Sequence, residues 1–189
     1  MLRSFIAVPV PTEMAGRLGE LQELLRPVAG HVKWVDPEAC HITLKFLGEV
    51  PRARLDATWA AVTESLAGAA GFGLRLHGVG VFPTRMRARV IWVGATDGKR
   101  ELTDLATRTE RACTAQGFTA EARPFQAHAT LGRVREPLAN AGLAAALEEL
   151  LGAEVGEITV DRVLLMRSEL SSEGPRYRVQ AERLLEPRA

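Results

Sequence analysis

Along the chain, short stretches with a two-residue apolar period alternate with longer stretches in which apolar residues recur every three or four positions. The first signals strand and the second amphipathic helix. The opening Arg3–Val8 reads as a strand. Thr12 is placed to cap a helix whose Leu18, Leu21, Leu25 and Val28 keep helical spacing. After a break at Gly30, Val32–Val35 leads into a strand over Cys40–Leu47. Pro51 opens a second helix carrying Leu55, Trp59, Val62 and Leu66, an i, i+4, i+7, i+11 stripe that ends at Gly68 to Gly71. An alternating strand with Phe72, Leu74 and Leu76 follows.

The same order then recurs. Val90–Val93 predicts a strand, and Leu102, Leu105 and Ala112 a helix running up to Gly117. Gln126–Val134 predicts another strand, Pro137 opens a helix with Leu143, Leu147 and Leu150, and Ile158–Met166 reads as one long strand. A hairpin around Ser171–Gly174 returns the chain along Tyr177–Leu184. A unit of strands and helices written twice predicts an α+β fold: a bilobal, pseudo-two-fold duplication of antiparallel sheets with helices on the outer faces and a central cleft. With no linker between the copies, the expectation is a single domain over residues 1–189, with lobes roughly 1–86 and 87–189.

Each copy carries one tetrapeptide of the same kind: His41-Ile42-Thr43-Leu44 and His128-Ala129-Thr130-Leu131, with the histidines 87 residues apart. On a strand, a histidine and the threonine two places on face the same way. One unit offers an imidazole beside a hydroxyl. Two units facing across a cleft offer an acid, a base and two hydroxyl donors around one small anionic group, which is equipment for acid–base chemistry on a phosphate. The other histidines, His31 and His77, lack the pattern.

Composition narrows this picture. A net charge of +1 speaks against a protein that coats nucleic acid non-specifically, but leaves room for a small site gripping one end of it. The apolar run Phe5–Val8 is stopped by Pro9 and Pro11, and no run is long enough to span a membrane. Two isolated cysteines, Cys40 and Cys113, form no framework, so a cytoplasmic setting is expected. Alternating arginines (Arg85, Arg87 and Arg89; Arg133 and Arg135; Arg176 and Arg178) would share strand faces. A zinc site from Cys40, His41 and His128 is disfavoured, because Cys40 and His41 point to opposite faces and no third ligand accompanies them. Cys40 reads instead as a small buried residue, and Trp34, Trp59 and Trp92 as packing residues. Phe46 and Phe125 flank the motifs, either as core or as surfaces for a terminal base.

His41-Ile-Thr-Leu-Lys-Phe-Leu-Gly48 and Arg123-Pro-Phe-Gln-Ala-His-Ala-Thr-Leu131 resemble the paired motifs of the two-histidine (2H) phosphoesterases. More specifically, the chain resembles the RNA 2′,3′-cyclic phosphodiesterases, historically called 2′-5′ RNA ligases. The likeness extends to Arg3-Ser-Phe-Ile-Ala-Val8, Val32-Lys-Trp-Val35, Gly78-Val-Gly-Val-Phe-Pro83 and Arg167-Ser-Glu-Leu170. The resemblance implies metal-independent hydrolysis of terminal 2′,3′-cyclic phosphates on RNA to 2′-phosphomonoesters; no cofactor is expected and no protein partner is inferred. It implies His41 as proton donor, His128 as proton acceptor, and Thr43 and Thr130 as donors to phosphate oxygens. It adds Arg133, five residues after the second histidine. Strand parity puts Arg133 on the face opposite His128, so it reaches the phosphate only if the strand bends or ends there, which the adjacent Gly132 allows. The alternatives are ligation of RNA ends at the same site, or an RNA-end binder that does not turn its ligand over.

Overall fold

The computed structural model describes residues 1–136, 140–171 and 174–187. In chain order the elements are β1 (Leu2–Pro9), α1 (Ala15–Leu25), β2 (Val32–Trp34), β3 (His41–Val50), α2 (Arg52–Ser65), β4 (Phe72–Phe82), β5 (Val90–Ala95), α3 (Lys99–Ala115), β6 (His128–Val134), α4 (Ala141–Glu149), β7 (Glu154–Val160), β8 (Arg162–Ser171) and β9 (Gly174–Leu184). Two antiparallel sheets form, ordered β3-β1-β8-β9 and β2-β6-β5-β4-β7. Among the described residues no helix is long and apolar enough to cross a membrane.

The duplication is visible in these orders, with one exchange. The triplet β3-β1-β8 matches β6-β5-β4, so each sheet pairs the histidine strand and opening strand of one repeat with a later strand of the other. Ile6 lies across from Leu165, and Val93 across from Val79. The sheets therefore do not coincide with the expected lobes 1–86 and 87–189, although that boundary does fall between β4 and β5. The core is continuous across the exchange. Ile6, Val8, Ile42 and Leu44 of one sheet and Ile91, Val93, Ala129 and Leu131 of the other join Leu18, Leu21, Leu55, Leu102 and Leu105 from the helices in one buried cluster. The histidines sit on the opposite strand faces, so the helices pack behind the site.

Four local expectations change. Thr12 begins a short 3-10 turn, and α1 starts at Ala15 without a side-chain cap. The predicted long strand Ile158–Met166 breaks at Asp161, where β7 ends in one sheet and β8 begins in the other. Asp161 turns its carbonyl to Leu185 N instead of into a ladder. Arg85–Arg87 form a 3-10 turn, not a strand, so those arginines do not share a strand face. The strand with the second motif begins at His128 and not Gln126. Pro137 and the hairpin tip at 172–173 lie outside the described residues, but β8 and β9 pair up to Ser171↔Gly174.

Both histidine strands carry an irregularity at the same place. Against β1, Thr43 pairs with Ala7 and Lys45 with Ile6, so Leu44 is an extra residue. Against β5, Thr130 pairs with Trp92 and Gly132 with Ile91, so Leu131 is extra. These are β-bulges, each three residues after the histidine. Each is tied down by a polar side chain from the other repeat. Gln22 on α1 donates from Nε2 to Leu131 O (3.0 Å) and Val35 O (2.6 Å). Glu110 on α3 accepts from Lys45 Nζ at 3.0 Å, and Nζ also donates to Thr119 O at 2.8 Å. The Lys45 side chain is 2% exposed. Burial alone would raise the Glu110 carboxyl; hydrogen bonds from Lys45 Nζ and Glu121 N and the Lys45 charge hold it below the usual range. Glu121 Oε1 also lies 3.7 Å from Lys45 Nζ, but Glu110 is the hydrogen-bonded partner, and a buried ammonium robbed of that partner is costly. Glu110→Gln is therefore expected to lower the unfolding free energy by about 3 kcal/mol in chemical denaturation, and Lys45→Met combined with Glu110→Leu to recover most of it. A single variant as stable as wild type would contradict the brace.

Candidate active site

The bulges decide which side chains share a face. On β1, Phe5, Ala7 and Pro9 alternate regularly, so their partners Phe46, Thr43 and His41 all project from one face of β3. On the other sheet, Val90, Trp92 and Gly94 pair with Arg133, Thr130 and His128, which likewise share one face of β6. Without the extra Leu131, Arg133 would face the core. The interruption that the sequence requires for Arg133 to reach the site is thus present, and Gly132 fits it: a Cβ there would sit 2.6 Å from Val32 Cγ1 and 2.9 Å from Trp34 Cε3. In the first motif the place of Arg133 is taken by Phe46, 55% exposed.

The two motif strands meet. Cys40 Sγ, immediately before His41, donates to Thr130 O at 3.7 Å. The two histidines are close enough that the charge of His128 bears on His41. Their local geometry is the same. His41 Nδ1 lies 2.9 Å from Ala39 O, and His128 Nδ1 lies 2.7 Å from Gln126 O. A carbonyl only accepts, so each Nδ1 carries the hydrogen and each neutral ring keeps its lone pair on Nε2. The carbonyl for His41 comes from a 3-10 turn, Pro37–Ala39, capped by Asp36, whose side chain accepts from Glu38 N. Each imidazole is thus set up to take a proton at Nε2 when neutral and to give one there when charged.

Aromatic rings enclose both. Phe5 stacks on His41 with centroids 4.7 Å apart, and Tyr177 stands perpendicular to it at 5.0 Å. Phe82 stands perpendicular to His128 at 5.0 Å, with Trp92 at 6.3 Å. Trp92 therefore borders the candidate site, against its reading as a packing residue. Its indole lies over Gly80, where a Cβ would come within 2.3 Å of Trp92 Cη2, and its buried Nε1 has no hydrogen-bond partner among the described residues. Trp34, Trp59 and Phe125 do pack against the core. Phe5, Phe82 and Tyr177 went unseen as site residues in the sequence; Tyr177, as the one tyrosine of the chain, was the available signal.

Electrostatics follow from this enclosure. Burial lowers the pKa of both histidines. The Nδ1 hydrogen bonds oppose that, while the charge of Arg133 pushes both lower still. Arg133 also bears on the Tyr177 phenol, so one guanidinium acts on both histidines and on the ring between strands. Burial pushes the Cys40 thiol up to about 12, with Asp36 adding to it. Among the described residues no cluster of three or more His, Cys, Asp or Glu is placed to hold a metal ion. For the free protein, histidine NMR titration is expected to place both His41 and His128 below the ordinary imidazole value of about 6.5; a value above it for either would contradict the enclosure.

Comparisons with known proteins agree with this geometry. The family described as LigT like Phosphoesterase matches twice in tandem, over residues 8–92 and 93–177, close to the boundary between the repeats. The chain is 35% identical over 176 residues to the RNA 2′,3′-cyclic phosphodiesterase of Methanothermobacter thermautotrophicus, covering 93% of this chain and 95% of that one. It is 34% identical over 179 residues to the same-named protein of Archaeoglobus fulgidus, covering 94% and 97%. Among solved structures, a protein of Thermus thermophilus superposes with a TM-score of 0.80 at 30% identity over the whole of both chains. The E. coli LigT complex with 3′-AMP superposes with a TM-score of 0.79 at 26% identity, covering 97% and 98%. With both motifs, the duplicated α+β fold and the tandem family match in agreement, this chain belongs to the LigT-like 2H phosphoesterases.

Proposed function

We propose that this chain is a hydrolase that opens terminal 2′,3′-cyclic phosphates on RNA to 2′-phosphomonoesters. The observation that carries the reading is the pair of neighbouring imidazoles, each fixed through Nδ1 with Nε2 free. The names of the full-length relatives support the same activity. Both cysteines are free and buried, in keeping with a reducing cytoplasm.

The reaction needs a water activated on one side of phosphorus and a leaving oxygen protonated on the other. Neutral His128 accepts a proton from water through Nε2 as the water oxygen bonds to phosphorus. The P–O3′ bond breaks, and imidazolium His41 gives its proton to O3′, leaving the phosphate on O2′. The histidines exchange protons with solvent to reset. Thr43 and Thr130, on the same faces as the histidines, donate to the non-bridging oxygens, and Arg133 offsets their charge. No step is routed through a metal. Phe46, exposed on the histidine face, offers a stacking surface for the terminal base. Burial and Arg133 favour neutral histidines in the free protein; the arriving phosphate anion reverses that bias and restores the imidazolium.

The sign of the pH dependence follows. Productive enzyme needs one histidine charged and one neutral, so kcat/KM traces a bell. Because both pKa values are lowered in the free protein, its maximum lies on the acid side of about 6.5. The kcat bell, which reports the anion-bound complex, lies at higher pH. A kcat/KM that climbs steadily to pH 9 would contradict this. With a short RNA ending in a 2′,3′-cyclic phosphate, His41→Ala and His128→Ala are each expected to lower kcat by about 10³-fold or more. Thr43→Ala and Thr130→Ala should cost about 10- to 100-fold. Binding of that RNA without turnover by wild type would instead favour an RNA-end binder.

A further inference from the structure

We propose that Tyr177 and Phe82 are paired positioning residues, each setting its ring at right angles against one histidine so that the imidazole holds the orientation the phosphate chemistry needs. The inference rests on the function proposed above and adds two residues to it.

The geometry is the same on both sides. Tyr177 meets His41 with centroids 5.0 Å apart and planes at 86°; Phe82 meets His128 at 5.0 Å and 89°. The duplication does not account for this match, because the rings come from non-equivalent places. Phe82 ends β4, and β4 corresponds to β8 in the other repeat. The strand registers make Met166 the counterpart of Phe82: Phe82 pairs with Val90, which faces Arg133, and Met166 pairs with Phe5, which faces Phe46. Methionine cannot supply an aromatic ring, and neither can Ser168, two residues on along the same face. Directly across from Ser168, on β9, stands Tyr177, and cross-strand partners share a face. In the second sheet no strand offers the same service. β7 pairs with β4 only from Phe72↔Val160 to His77↔Glu154, short of Phe82, so there the ring comes from β4 itself. Two different solutions thus arrive at one arrangement, which marks the arrangement as something the site needs.

The physical need is plain. The Nδ1 hydrogen bond anchors each imidazole at one point, and Phe5 covers one face of His41, but a swing within the ring plane still displaces Nε2 from the phosphate. A ring packed at right angles closes the swing with favourable edge-to-face geometry. Displacement of a reacting group by about 1 Å can cost about 10²-fold in rate. Phe82 carries no hydroxyl, so the shared element is the ring.

The test compares wild type with Tyr177→Phe, Tyr177→Leu and Phe82→Leu on an RNA oligonucleotide ending in a 2′,3′-cyclic phosphate, with thermal melts to confirm folding. Tyr177→Phe is expected to keep kcat within about threefold of wild type. Each leucine variant should lose about 10- to 100-fold in kcat with KM changed less than about threefold. In histidine NMR, Tyr177→Leu should disturb the ring signals of His41 and leave those of His128, and Phe82→Leu the reverse. If a leucine variant fails to fold, methionine replaces leucine at that position. Folded variants with wild-type kcat, or with the loss confined to KM, would overturn the proposal. So would a Tyr177→Phe variant as impaired as Tyr177→Leu, which would place the effect in the hydroxyl. If wild type turns over no cyclic phosphate, the functional reading fails while the NMR arm still decides whether the rings hold the histidines.

Discussion

The extra residue just past each motif, Leu44 in one histidine strand and Leu131 in the other, governs the site. A regular strand leaving His128 and Thr130 on the cleft face would send Arg133 into the core, and one leaving His41 and Thr43 there would do the same with Phe46. Inserting Leu44 and Leu131 reverses the parity beyond each motif. Lys45 and Gly132 then turn inward, and Phe46 and Arg133 turn to the site. The inward residues meet opposite fates. Gly132 lies under Trp34 with no room for a side chain, whereas Lys45 is drawn through the interior to Glu110. The braces come from the partner repeat, Gln22 from α1 to the second bulge and Glu110 from α3 to the first. The interruption that shapes each half of the site is thus held by the other half.

The exchange of β4 and β8 between the sheets has a related consequence. Because each sheet contains strands of both repeats, the repeats cannot separate without breaking backbone ladders, and the two histidine strands, one on each sheet, are tied where Cys40 Sγ donates to Thr130 O. The result is near-symmetric in geometry and asymmetric in charge. Each imidazole has a carbonyl on Nδ1 and a ring at right angles, but the position after the bulge is a guanidinium on one side and a phenyl ring on the other. That difference leaves two distinguishable neighbours, a cation on one side and a flat apolar surface on the other, which the proposed function assigns to phosphate and base.

Much of this was legible in the chain. The helical stripes, the repeated order and the His-x-Thr spacing follow from periodicities of 3.6 and 2, and these survive folding wherever elements are regular. The face of Arg133 was not legible from parity, because a bulge leaves no periodic mark of its own; the sequence showed only that Gly132 made one feasible. The division of Ile158–Met166 was hidden for a similar reason, since only Asp161 and Arg162 separate the alternating Ile158-Thr159-Val160 from the apolar run Val163–Met166. Trp92 read as a packing residue because its slot is cut by Gly80 on a neighbouring strand, and Tyr177 escaped notice because its place opposite Ser168 exists only once β8 and β9 are paired.

The central claim is that two histidines direct water at phosphorus and release O3′. It is tested most directly by turning over a short RNA with a 2′,3′-cyclic phosphate end in ¹⁸O-labelled water, with mass analysis of the product and treatment with a 3′-specific phosphatase. One ¹⁸O in the terminal phosphate and a product resistant to that phosphatase are expected, formed by wild type and not by His128→Ala. A phosphatase-sensitive 3′-phosphate, a product without label, or undiminished turnover by His128→Ala would contradict it.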